Sequence, residues 1–315
     1  MRSSMTRPIR GSKRVKRPTD MSLATAFFKF IEPQLASPVD QPPEGKHWIH
    51  EIKHDGYRCQ VLLERGQARV FTRNGHDWSD RYPSIVRAAA NLRCQSAIID
   101  GEAIVQDGNG VSDFEALSSA MRWQADSIIV YAFDLMHLNG KDLRQQTLSV
   151  RRSILTALIG SDEESRIQFS DEFHGDGDAL FKACAQHGLE GIVSKHALAP
   201  YRSGRSKTWL KTKCFVESTF VVVGTDRDRK TGALRALLAK ADGHVLTYAG
   251  AAFIGLSSDG WHELRERLQQ LAIRRTPLAG LRLKDAEWIE PKLTARVRHL
   301  AGAKYLRHAV VKTLL

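Results

Sequence analysis

The run Glu51-Ile52-Lys53-His54-Asp55-Gly56-Tyr57-Arg58 sets a lysine amine close to a glutamate, an aspartate and an arginine, beside an Asp-Gly pair that favours a tight turn. A free lysine amine has a pKa near 10.4, so about one in a thousand is neutral at physiological pH, and recovering that factor is worth roughly 4 kcal/mol. Nearby cations and a bound metal ion lower such a pKa, which is the setting a lysine needs to act as a covalent nucleophile. Taken alone, the same run is also the common pattern of a solvated lysine followed by a hairpin turn.

Three further segments carry charge in chemically useful patterns. Asp100-Gly101-Glu102 interrupts an apolar strand, with Ala97-Ile98-Ile99 before it and Ala103-Ile104-Val105 after, and alternate positions of a strand share a face. Two carboxylates on one face hold Mg²⁺ or a ribose, whereas a strand-connecting turn with solvated acids is the plainer reading. Glu190-Gly191-Ile192-Val193-Ser194-Lys195 repeats the design, an acid at the mouth of a short apolar strand that ends in a lysine. From Tyr201 to Lys213 there are five cations and no acid. Within that run Lys211 and Lys213 project to one side of a strand, where they clamp a phosphate or form a solvated charged face.

Elements must bring these segments together. From about residue 47 strand-like runs alternate with amphipathic helical ones, with strands at Ala97 to Val105 and Ser127 to Leu138. Asp113 caps a helix through Trp123 whose stripe is Phe114, Leu117 and Met121, and a second helix after Thr147 carries Leu148, Ile154, Leu155 and Leu158. An α+β domain follows. After Cys214 the pattern changes: strands at Thr219 to Gly224 and His244 to Tyr248, a helix with Trp261, Leu264, Leu268 and Leu271, then short strands near Trp288 and His308. Several strands with one helix in about 100 residues fit a small β-barrel of OB-fold type, a common nucleic-acid platform.

Composition sets the outer bounds. With 315 residues, 42% of them apolar, two domains are expected. Lys and Arg outnumber Asp and Glu by 47 to 35, a formal charge of +12, which points to a polyanionic partner. The four cysteines, Cys59, Cys94, Cys184 and Cys214, lack zinc-site or disulfide-framework spacing and read as reduced core thiols. No apolar run approaches the roughly 18 residues that span a bilayer, so a soluble cytoplasmic protein with no membrane partner is expected. Residues 1–17 hold Arg2, Arg7, Arg10, Lys13, Arg14, Lys16 and Arg17 without an acid, the composition of a disordered arm that binds DNA phosphates or merely solubilises.

In their joint order these segments resemble the covalent nucleotidyltransferase superfamily of ATP-dependent DNA ligases and capping enzymes. Lys53 to Arg58 fits the nucleophile motif KxDGxR, Arg73-Asn74-Gly75 the arginine that follows it, and Asp100 to Glu102, Tyr131 to Leu135, Glu190 to Lys195 and Trp209 to Lys213 the rest of the core. Trp48-Ile49-His50, Phe71 to Trp78, Tyr248-Ala249-Gly250 and Trp288-Ile289-Glu290-Pro291 look, more narrowly, like bacterial end-joining ligases.

The resemblance implies a basic tail at 1–20, an adenylation domain of antiparallel sheets with helices at 21–215, and an OB-fold domain at 216–315. It implies that Lys53 attacks the α-phosphorus of ATP, that Glu51 and Phe133 seat the adenine, and that Glu102 binds the ribose. Arg58 and Arg73 then contact ribose or phosphate, Glu190 with Glu102 holds Mg²⁺ or Mn²⁺, and Lys211 and Lys213 neutralise the α-phosphate. The implied substrate is nicked double-stranded DNA, sealed by a monomer in the bacterial cytosol, with a Ku-type end-binding protein as partner.

Ligases of this type end in a basic motif that contacts the leaving pyrophosphate, just after a stretch like Leu306 to Lys312. The sequence ends at Leu315 without it. The expectation is therefore a slow first step unless Arg307, Lys312 or a partner compensates, with sealing of pre-adenylated nicks less affected. An RNA ligase or GTP-using capping enzyme shares the lysine chemistry, and a catalytically idle DNA-binding relative would share the fold.

Overall fold

The computed structural model describes residues 29–162, 164–243, 245–302 and 305–315. The basic tail expected at 1–20 lies outside the described residues, as does the start of the region expected from 21. In chain order the first region holds β1 (Gln34–Pro38), β2 (Trp48–Ile52), β3 (Tyr57–Glu64), β4 (Gln67–Thr72), α1 (Pro83–Ala90), β5 (Ser96–Ile104) and α2 (Phe114–Trp123). It continues with β6 (Ile129–Leu138), β7 (Lys141–Asp142), α3 (Leu148–Ile159), β8 (Ile167–Phe169), α4 (Gly177–Gln186), β9 (Gly191–His196) and β10 (Gly204–Lys213).

These strands form two sheets. One has the order β1-β10-β9-β2, antiparallel except where β1 lies parallel to β10. The other runs β4-β3-β5-β6-β7, with β8 parallel against β6. Strand alternation explains how the second sheet is covered on both faces. Val61, Leu63, Ala97 and Ile99 point into a core with Ile85, Leu117 and Leu155 of the helices, while Leu62 and Ile98, one position off, pack against Trp209 of the other sheet and Tyr201 in the loop that leads into it. The helices start as their caps predict, with Asp113 accepting from the Glu115 and Ala116 amides and Thr147 from that of Val150.

β5 runs unbroken through Asp100-Gly101-Glu102. A Cβ at Gly101 would lie 2.6 Å from a Val130 methyl and 2.9 Å from the Tyr131 carbonyl oxygen, so glycine is there to let β6 approach, and the strand is not broken into a turn.

The second region holds β11 (Phe215–Arg227), β12 (Leu234–Asp242), β13 (Val245–Ile254), α5 (Ser258–Gln270), β14 (Ala272–Ile273), β15 (Glu287–Leu300) and β16 (Val310–Leu314). β11 pairs with both β12 and β15, which closes the ring β11-β12-β13-β16-β15; only β13 and β16 are parallel. That connectivity, with α5 between the third and fourth barrel strands, is the OB-fold. Phe220, Val222, Leu238, Leu264, Leu293, Val297 and Val311 fill it. The expected short strand at Thr219 to Gly224 is the middle of a 13-residue strand shared by two neighbours. His308 falls in the loop before β16, with a left-handed φ of 50°, and His244 lies outside the described residues.

Candidate active site

A cleft of about 580 Å³ lies along the first sheet, and the barrel borders its mouth. Lys53 leaves β2 at its edge, its amide donating to the Gly191 carbonyl at 2.9 Å. Gly191 adopts φ +141° and its α-carbon faces the Thr212 carbonyl too closely for a Cβ, so this junction of β2, β9 and β10 requires glycine. The Lys53 ammonium is ion-paired with Glu190 Oε2, and the other oxygen of Glu190 takes the Lys213 ammonium at 2.7 Å. Burial works to raise the Glu190 carboxyl, but the ammonium groups of Lys53 and Lys213 more than offset it and hold the group below the ordinary carboxylate range.

Around this pair the mouth is incomplete. Lys211, next to Lys213 on the same face of β10, has its ammonium pushed below the usual lysine range by burial and then by the charges of Lys213, Lys53 and Arg205. No hydrogen bond or ion pair to the Lys211 or Glu102 side chain is found among the described residues. Burial pushes the Glu102 carboxyl up to about 7, with Glu190 and Asp100 adding to it against Lys53 and Arg58. Arg73 is exposed at the rim, anchored by its amide to the Arg58 carbonyl at 3.0 Å.

The inner end differs. Glu51 is 3% exposed, and its oxygens receive Lys195 at 2.7 and 2.9 Å, Arg152 Nη1 at 2.9 Å and the Ser170 hydroxyl at 3.2 Å. The Lys195 ammonium lies 4.1 Å from the Phe133 ring centre and 4.5 Å from that of Trp209. Burial pushes this ammonium down to about 8 despite Glu51. Arg152 also donates to Glu172, the Phe133 carbonyl and the Ser170 carbonyl. Behind it, Arg151 and Asp134 form a fully buried bidentate pair at 2.7 and 2.8 Å. Phe133 meets Trp209 edge-on, and both line the cleft together with the apolar Val193, Leu35 and Ala36.

Arg58 is committed within the protein. Its guanidinium grips Asp100 at 2.9 and 2.6 Å and the Gln34 carbonyl at 2.6 Å. Burial opposes its charge, but Asp100 more than offsets this. Asp100 is fully buried and also accepts from Tyr201 at 2.7 Å, so the expected pair of cleft carboxylates reduces to Glu102 alone. The cause is the two-sided burial of β5, which makes any Asp100 side chain find an internal cation.

The structure thus brings Glu51, Lys53, Arg58, Arg73, Glu102, Phe133, Glu190, Lys211 and Lys213 to one cleft. Sequence reasoning gave no role to Arg152, Ser170 or His54. His54 stacks on Tyr131 with centres 4.3 Å apart, and burial, with the charges of Lys53 and Lys195, pushes its imidazole down to about 4, so it is neutral. One signal for Arg152 existed: Arg151 and Arg152 sit on the buried stripe of α3 with Leu148 and Leu155. From the barrel, Arg307 pairs with Asp55 and lies 4.2 Å from the Phe114 ring centre, while His308 Nε2 meets the Lys213 ammonium at 3.0 Å.

A lysine held among cations and carboxylates, between two sheets and beside a five-stranded barrel, defines the covalent nucleotidyltransferase class. Residues 33–213 match the family described as ATP dependent DNA ligase domain, and 228–314 match the ATP dependent DNA ligase C terminal region. The chain belongs to the ATP-dependent DNA ligase family. It is 37% identical over 285 residues to the multifunctional non-homologous end joining protein LigD of Pseudomonas aeruginosa, covering 87% of this chain and 34% of that protein. Identity to LigD of Mycobacterium tuberculosis is 29% over 264 residues, 81% of this chain and again 34% of the relative. The chain therefore spans about a third of the length of these relatives. A solved mycobacterial DNA ligase D complexed with ATP and MES superposes with a TM-score of 0.57 at 27% identity, over 91% of this chain and 96% of that one.

Proposed function

We propose that the chain seals nicks in double-stranded DNA through a Lys53-AMP intermediate. The observation that carries this is the Lys53 ammonium at the end of a cleft, paired with Glu190 and flanked by Lys211 and Lys213. With the triphosphate over these cations, a deprotonated Lys53 Nζ attacks the α-phosphorus, the new P–N bond replacing the bond to pyrophosphate. Lys211 and Lys213 stabilise the charge that moves onto the oxygens, since phosphoryl transfer depends on positioning and electrostatics. AMP then passes to the DNA 5′-phosphate, which Arg73 contacts from the exposed rim, and the 3′-hydroxyl displaces it, while Arg58 reaches ribose or phosphate only by leaving Asp100 and the Gln34 carbonyl. Glu51 and Phe133 seat the adenine and Glu102 the ribose.

Mg²⁺ or Mn²⁺ fits the donors present. Among the described residues no group of three or more His, Cys, Asp or Glu forms a metal cage, and Glu190 with Glu102 is the two-carboxylate set that Mg²⁺ uses when phosphates supply further ligands. Bound there, the ion would neutralise phosphate oxygens. The end-joining relatives support a place in double-strand break repair, and the reading adds the bacterial cytosol, a monomer and a Ku-type end-binding partner. Among the described residues no helix is long and apolar enough to cross a membrane.

Incubation with α-labelled ATP or GTP and either metal ion tests the reading. Covalent label is expected from ATP on the wild type and none on Lys53→Ala. No label, together with no sealing of a pre-adenylated nick, would overturn it in favour of an idle DNA-binding relative.

A further inference from the structure

Lone pairs are scarce at the inner end of the cleft. An ionised carboxylate accepts hydrogen bonds and donates none, so the Ser170 hydroxyl 3.2 Å from Glu51 Oε2 must point its proton at Glu51. Lys195 and Arg152, both 2% exposed, hold the Glu51 carboxylate in place and occupy its other acceptor positions. The Ser170 carbonyl is taken by Arg152 Nη2 at 2.7 Å. Ser170 lines the cleft although only 1% exposed, and with its proton on Glu51 what its hydroxyl can offer a ligand is a lone pair, an acceptor and not a donor.

Phosphates belong at the Lys53, Lys211 and Lys213 end, so a nucleotide lying along the cleft carries its base toward the apolar walls of Phe133 and Val193, where Ser170 stands. Adenine offers an exocyclic amine donor at its sixth position, and guanine and hypoxanthine offer an oxygen there. We propose that Ser170 is a specificity-determining residue that accepts a hydrogen bond from the exocyclic amine of ATP, with Glu51, Lys195 and Arg152 positioning its hydroxyl. This rests on the reading of the cleft as a nucleotide site. A six-oxo purine meets two lone pairs face to face, and turning the hydroxyl to serve it strips Glu51 of a partner.

The test compares ATP with inosine triphosphate, which carries an oxygen at the sixth position and with it a proton on N1, by kcat/KM for covalent labelling of the full chain. Ser170→Ala is expected to lower the ATP preference about tenfold, mostly by raising KM for ATP. Ser170→Thr, which keeps the hydroxyl, should restore most of the preference. Glu51→Gln offers an amide that donates as well as accepts, so the hydroxyl is free to turn and the preference should fall there too. A folded Ser170→Ala or Glu51→Gln protein whose ATP preference stays within twofold of the wild type would overturn the proposal. A wild type that takes no label from ATP would instead bring down the nucleotidyl-transfer reading, and this inference with it.

Discussion

The two ends of the cleft are built in opposite ways. At the inner end every charge has its counter-charge already: Glu51 with Lys195 and Arg152, Asp134 with Arg151, Asp100 with Arg58. At the mouth, Lys211 and Glu102 make no side-chain hydrogen bond among the described residues, and Glu190 is shared by two lysines. The inner end is an object of folding, preorganised before a ligand arrives. The mouth is electrostatically unfinished, which suits it to the phosphate and metal ion proposed above. Substitutions that break the buried ion pairs inside should thus act first on stability, and those at the mouth on rate.

The largest effect should come from Asp134→Ala, which strands the fully buried Arg151 and is expected to cost about 3–5 kcal/mol of stability by denaturant titration. Loss of less than 1 kcal/mol would break the contrast. Glu190→Ala should leave the melting temperature within a few degrees yet slow Lys53-AMP formation roughly 10²–10³-fold, the scale of a lost transition-state contact. Lys211→Ala should slow the same step about tenfold without destabilising the fold. Arg307→Ala, read by single-turnover labelling, should change the first step only a few-fold, because its ion pair with Asp55 is partly exposed and screened by salt.

The smallest effect is a pH slope. An unfolded lysine titrates near 10.4 and Lys195 in the fold at about 8, so between these values the unfolded chain binds more protons. Stability from this group therefore rises with pH through that window, its penalty being full below about 8. Lys195→Met should flatten the slope, and an unchanged slope would remove Lys195 from the account.

Residues whose chemistry is written in neighbouring positions were legible in the sequence: Lys53 beside Asp55-Gly56, Lys211 and Lys213 on one strand face, Asp113 and Thr147 as caps. The α+β region and the barrel were legible for the same reason, since periodicity is local. What was not legible is pairing across the chain. Arg152 meets Glu51 at a separation of 101 residues, as Tyr201 meets Asp100, and nothing local distinguishes these from solvated charges. Asp100 shows the cost: its spacing with Glu102 promised two cleft carboxylates, and two-sided burial of the strand gave one of them to Arg58. Strand ends at 215–227 and 245–254 outran their apolar cores because barrel strands serve two neighbours.

The order of strands in the first sheet has a consequence for how the protein is made. β2, which leads into Lys53, finds its partner in β9, and β1 waits for β10, so Lys53 leaves the ribosome well before Glu190, Lys211 and Lys213 of its surroundings. At roughly 5–20 residues per second, synthesis of the 137 residues between them leaves Lys53 without Glu190 for about 7 to 27 s. A nascent chain is expected to be inert toward ATP at least through that interval, as ribosome-stalled chains of graded length would report by their labelling.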